Sequence, residues 1–71
     1  MTATEIFNYI IENKDWEDRY NKINMKGDYN SFEDMAKQCM TIAEEVSSCT
    51  EEDIDFIIED MLDKLDNMNN N

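Results

Sequence analysis

The chain has 71 residues, with 18 Asp and Glu against 6 Lys and Arg, no His, and a formal net charge of -12. This balance offers no positive footprint for phosphates or anionic lipid, so ordinary binding to DNA, RNA or a membrane surface is disfavoured. The length permits one small domain, and the lack of His with only two Cys excludes the usual zinc sites and His-based catalytic dyads within one chain.

Pro is absent, Gly27 is the only glycine, and 41% of the residues are apolar. This composition favours helices, leaves few places to turn a hairpin, and suffices for a compact core despite the charge. The expected fold class is all-α, a small three- or four-helix bundle spanning residues 1–68, with an Asn-rich tail at 69–71 that frays.

In chain order, Thr4 is the expected cap of a first helix with Ile6, Phe7, Ile10 and Ile11 on its apolar face and Tyr9 at the edge. The periodicity changes near Asn13, where Asp15 reads as a new N-cap before a narrower stripe of Trp16, Tyr20 and Ile23. Two helices are favoured there over one bent helix from about 4 to 25. Lys26-Gly27-Asp28-Tyr29-Asn30 is the clearest loop, with Gly27 expected as a left-handed C-cap.

Ser31, followed by Asp34, caps the next helix, whose core face reads Phe32, Met35, Ala36, Cys39, Ile42, Ala43 and Val46 and which ends around Ser47 to Cys49. Thr50 caps the last helix, with Glu51, Glu52 and Asp53 in its first turn and Ile54, Ile57, Ile58, Met61, Leu62, Leu65 and Met68 as its core stripe. A continuous helix from Cys39 to about Ser47 would leave Cys49 roughly 15 Å from Cys39, so both thiols are expected to be reduced. No basic segment precedes an apolar run, and a cytoplasmic protein is expected.

The acids are unevenly placed. Residues 1–30 hold six acids and four bases, whereas residues 31–71 hold twelve acids and two bases. From Glu52 to Asp66 there are seven acids and one base, Lys64, along a helical rise of about 21 Å. The resulting linear density approaches the one phosphate per roughly 3.4 Å of a DNA strand. On a helical wheel Glu52, Asp55, Glu59, Asp63 and Asp66 lie opposite the core stripe, with Asp53 and Asp60 flanking. Like-charged pairs such as Asp55/Glu59 and Glu59/Asp63 each destabilise a helix by a few tenths of a kcal/mol, with few bases in sequence to relieve them. Phe56 sits in the middle of this face, where it either packs on a neighbouring helix or stands exposed as an anchor.

Other chemistries find little support. Placing Gly27 sixth in a calcium loop would put Lys22 first and Lys26 fifth, where oxygen ligands are needed. Ser31 opens a helix in roughly the part of the chain where the acyl carrier family places its serine. That family's Asp-Ser-Leu is here Asn30-Ser31-Phe32, and only Ser31 matches. No phosphate-loop, dinucleotide or zinc spacing occurs, and neither a cofactor nor enzymatic activity is expected.

The sequence therefore leads to the expectation of a non-catalytic inhibitor or decoy. Glu52, Asp55, Phe56, Glu59, Asp60, Asp63 and Asp66 would meet the basic surface of a partner, such as a nucleic-acid-binding enzyme. A phage antagonist of a host nuclease, restriction enzyme or CRISPR effector is the type of protein envisaged. The alternative is an adaptor that docks through an apolar groove using Trp16, Tyr20 and the methionines.

Overall fold

The structure, a computed structural model, describes residues 1–46 and 49–69. Four helices make up the described chain, α1 (Ala3–Ile11), α2 (Lys14–Lys22), α3 (Phe32–Glu44) and α4 (Glu51–Asn69), and among the described residues there is no strand. They form an all-α bundle with principal extents of 35 × 19 × 18 Å, in which α3 packs chiefly on α1 and on α4. α3 ends at Glu44 with Glu45 as its C-cap, short of the expected Ser47 to Cys49; Ser47 and Ser48 lie outside the described residues, as does the tail at Asn70 and Asn71.

Local capping decides where each helix starts. For α1 the cap is Thr2, not Thr4: the Thr2 hydroxyl accepts from the Glu5 N–H at 3.2 Å while the Glu5 carboxylate accepts from the Thr2 N–H at 2.9 Å. Thr2-x-x-Glu5 is a capping box, whereas three residues after Thr4 stands Phe7, which offers no acceptor. The two hydrogen bonds to Thr2 hold the Glu5 carboxyl below its ordinary pKa. Similarly, α2 is capped by Asn13 in place of Asp15, because the Asn13 Oδ1 reaches both the Asp15 and Trp16 N–H groups at 3.0 and 3.2 Å. Two helices, not one bent helix, therefore fill residues 3–22. Ser31 and Thr50 accept from the Asp34 and Asp53 N–H groups, as expected from the sequence.

Gly27 does have φ 65°, but it is not a helix C-cap. α2 has already ended at Lys22, with Ile23 leaving in extended conformation so that its side chain enters the core. Gly27 instead lies within a turn closed by the Tyr29 N–H on the Lys26 carbonyl at 3.2 Å. A Cβ there would meet Leu65 Cδ2 at 3.2 Å in addition to adopting a left-handed backbone.

The core joins Ile6 and Ile10 of α1, Trp16 and Tyr20 of α2, Phe32, Met35, Ala36, Cys39 and Ala43 of α3, and Ile54, Ile58, Met61, Leu62 and Leu65 of α4. Trp16 meets the Tyr9 ring edge-on at 5.8 Å, and Tyr20 lies 5.8 Å from Phe32, with Lys26 Nζ over the Tyr20 ring 4.4 Å from its centroid. Both cysteines are free thiols, and burial pushes Cys39 up to about 12, assisted by the nearby Cys49.

Three residues expected in the core are not there: Ile42, Val46 and Met68 are exposed. α3 ends before Val46, Ile42 stands at the margin of the apolar arc centred on Cys39 and Ala43, and Met68 lies in the last turn of α4. Asn69, expected to fray, is the last residue of α4. Its side chain accepts from the Met25 N–H at 2.8 Å and donates to the Leu65 carbonyl at 2.7 Å, tying the 23–31 loop to the helix end.

The Tyr20 hydroxyl is buried without a hydrogen-bond partner among the described residues, and burial raises its pKa. Tyr20→Phe retains the ring and removes the unpaired donor, so it is expected to leave stability unchanged or raise it by about 1 kcal/mol, measured by thermal melting. A loss of that size would show that the hydroxyl is satisfied in solution.

A carboxylate face on α4

α4 is the longest helix, and only one side of it is packed. Ile54, Ile58, Met61, Leu62 and Leu65 point into the bundle, which leaves Glu59, Asp60 and Asp63 between them exposed. Phe56 is the most exposed large apolar side chain, with 75% of its surface accessible. No neighbouring helix covers it, which settles the two alternatives left by the sequence in favour of exposure.

Of the seven residues singled out in the sequence, Glu52, Phe56, Glu59, Asp60 and Asp63 are exposed, whereas Asp55 and Asp66 are half-buried at the edges of the face, against α1 and α2. Asp55 is half-buried and accepts a hydrogen bond from the Tyr9 hydroxyl of α1 at 2.7 Å. Asp66 and Asp63 both hold Arg19 of α2, with Arg19 Nη2 2.7 Å from Asp66 Oδ2. Asp60 pairs with Lys64 one turn along the same helix at 3.0 Å, a solvent-exposed contact. Glu52 and Glu59 are exposed and have no ion pair or side-chain hydrogen bond among the described residues.

Arg19 is the residue that sequence reasoning missed. It lies more than forty positions from its partners, and no local spacing connects it to them. Its guanidinium lowers the local net charge between Glu52 and Asp66 from -6 to -5 and relieves repulsion between Asp63 and Asp66. The two carboxylates in turn raise its own pKa, Asp63 first and then Asp66. With the guanidinium about a third exposed and the carboxylates more so, the energetic gain is that of a largely solvated network. Its clearer consequence is geometric, since it clamps the C-terminal half of α4 against α2.

Tyr9 is the second contact invisible in sequence. Its hydrogen bond to Asp55, aided by partial burial and the negative charge, pushes the phenol pKa up to about 12 from 10.0. Because the folded value exceeds the unfolded one, this contact supports folding fully below pH 10 and is lost as pH rises through about 12. An ultraviolet titration should accordingly show that Asp55→Ala moves one phenol transition down towards 10.0. Coincident titration curves for the two proteins would contradict the assignment.

Chemically, the face offers carboxylates on a rigid rod and one apolar ring. Among the described residues no group of three or more Cys, Asp or Glu is placed to hold a metal ion, and no helix is long and apolar enough to cross a membrane. Ser31, whose oxygen accepts from the Asp34 N–H, serves as a cap. Fold and face together define a small, acidic, all-α helical bundle. Comparison with known proteins gives no match, whether to a family model, a curated protein or a solved structure.

Proposed function

We propose that the chain is a small acidic inhibitor or decoy that binds the basic, nucleic-acid-binding surface of a partner protein. The observation that carries this reading is the outer face of α4, where Glu52 and Glu59, without partners among the described residues, stand on either side of an exposed Phe56. Tyr9 and Arg19 fasten the same helix to α1 and α2, so its carboxylates are offered at fixed spacing with little ordering left to do on binding. Net charge along this stretch, with Arg19 included, is about one per 4 Å of helix, close to the roughly 3.4 Å of a DNA strand. Carboxylates would occupy positions meant for phosphates, and the field would speed encounter.

The strategy is that of phage-encoded antagonists of a host nuclease, restriction enzyme or CRISPR effector, which would place the protein in the host cytoplasm. No catalytic role and no direct contact with nucleic acid is part of the proposal. Affinity capture from the native cell or its host, at low and high salt, tests it. The retained proteins should be nucleic-acid-binding, should leave the column as salt rises, and should be displaced by excess duplex DNA or RNA. Retention that is indifferent to salt and to nucleic acid would sink the idea.

One observation favours a second reading, that of an adaptor docking through an apolar groove. Ile42, Met61, Leu65 and Met68 line one side of a groove of about 340 Å³ between α3, α4 and the loop at Gly27–Tyr29, and two of them, Ile42 and Met68, are exposed. Trp16 and Tyr20 are buried in the core and leave this reading to the groove alone. Binding would then survive high salt and fail on Ile42→Glu.

A further inference from the structure

Phe56 has a neighbourhood that no other aromatic in the chain shares. The residues one helical turn away on either side, at i-4, i-3, i+3 and i+4, are Glu52, Asp53, Glu59 and Asp60. Every one is a carboxylate. Asp53 is engaged by Thr50 at the helix start and Asp60 by Lys64, whereas Glu52 and Glu59 have no partner among the described residues.

This arrangement selects what can cover the ring. An apolar pocket closing over Phe56 would strip water from the surrounding carboxylates and offer them nothing in return, a costly desolvation. A cation avoids that conflict, because the face of a phenyl ring is its electron-rich side. Among cations, the ammonium of lysine is a compact and strongly hydrated point charge. A guanidinium is flat and weakly hydrated, and it keeps its N–H groups in the plane of the stack, directed sideways to where Glu52 and Glu59 lie. The chain does not fill this position itself: among the described residues its only cation over a ring is Lys26 on Tyr20.

We infer that Phe56, with Glu52 and Glu59, is a seat for an arginine side chain of the partner protein, the guanidinium stacking on the ring and donating to the carboxylates. The inference rests on the acidic face meeting a basic protein surface and adds which basic side chain it prefers. Proteins that grip phosphates bidentately are rich in arginine, so such a seat would compete for the same group that holds the nucleic acid.

The test uses the full chain with an arginine-rich peptide and its lysine counterpart of equal length and charge, titrated at low salt. The arginine peptide should bind about two- to fivefold more tightly. Phe56 ring resonances should shift, and arginine δ-methylene protons should move upfield. Phe56→Leu, a substitution on an exposed site, should remove this preference by weakening arginine-peptide binding more than lysine-peptide binding, and Phe56→Trp should enlarge it. Equal affinity for the two peptides, or a preference that persists in Phe56→Leu, overturns the seat and leaves the acidic-face reading standing. Failure of both peptides to bind overturns the two together.

Discussion

Replacing both Glu52 and Glu59 by lysine is expected to weaken partner binding by at least about tenfold at low salt, with the helical bundle intact. Neither carboxylate has a partner among the described residues, and both are exposed, so reversal removes no contact that holds the fold. Lysine at 59 also stands one turn from Asp55 and Asp63, which replaces two like-charge pairs by attractive ones worth about 0.2–0.5 kcal/mol each. Lysine at 52, in the first turn of α4, gives up about 0.3–1 kcal/mol of favourable interaction with the helix dipole, which offsets that gain. Circular dichroism should therefore report unchanged helicity and a melting temperature moved by no more than about 8 °C, while inhibition or capture is lost. Unchanged affinity in the folded double variant would falsify the acidic-face mechanism.

The choice of residues matters. Glu59 and Asp63 look equally suitable in the sequence, as two acids on the outer face. In the structure Asp63 holds Arg19, so Asp63→Lys would oppose two cations and loosen α4 from α2. A loss of binding in that variant would confound a missing charge with a disturbed scaffold. Glu52 and Glu59 separate the two effects.

Leu62→Ala is expected to have the largest effect on the fold, a loss of about 2–5 kcal/mol. Leu62 is fully buried in α4 among residues from the other helices. At about 0.05–0.15 kcal/mol per residue, a chain of this length has a total stability of about 4–11 kcal/mol, so one such cavity removes a large share or all of it. Urea denaturation should show the midpoint collapse, whereas Leu62→Met, which keeps the volume, should cost less than about 1.5 kcal/mol. Phe56→Ala supplies the contrast on the same helix. A phenylalanine truncated in a core costs about 3–5 kcal/mol, but at this exposed site the change should stay within about 0.5 kcal/mol. A strongly destabilised Phe56→Ala protein would mean that the ring is packed after all.

The divergent expectations for Leu62 and Phe56 follow from periodicity alone as far as direction is concerned. The spacing of Ile54, Ile58, Met61, Leu62 and Leu65 defines the buried side, and Phe56 falls opposite the centre of that stripe. Helical class, the two short helices before the loop, the caps at Ser31 and Thr50, and the confinement of charge to the second half were all legible in this way. Each depends on residues within about four positions of one another, where a helix imposes its own geometry whatever the rest of the chain does. Even the cap at Thr2 was legible, since Thr2-x-x-Glu5 is present and Thr4 lacks a matching acid.

Tertiary packing alone decided which acids are available. Tyr9 reaches Asp55, Arg19 reaches Asp63 and Asp66, and Asn69 reaches Met25, each across more than forty residues. No local pattern encodes such pairs, because they depend on how helices lie against one another. The same packing left Ile42, Val46 and Met68 uncovered and Phe56 bare, since the four helices of the described residues bury other faces. Composition and periodicity determined that this protein is helical and acidic along one face. Only the arrangement of α1 and α2 around α4 determined that Glu52 and Glu59 have no ion pair among the described residues, because a carboxylate's pairing depends on which cations the fold brings within reach.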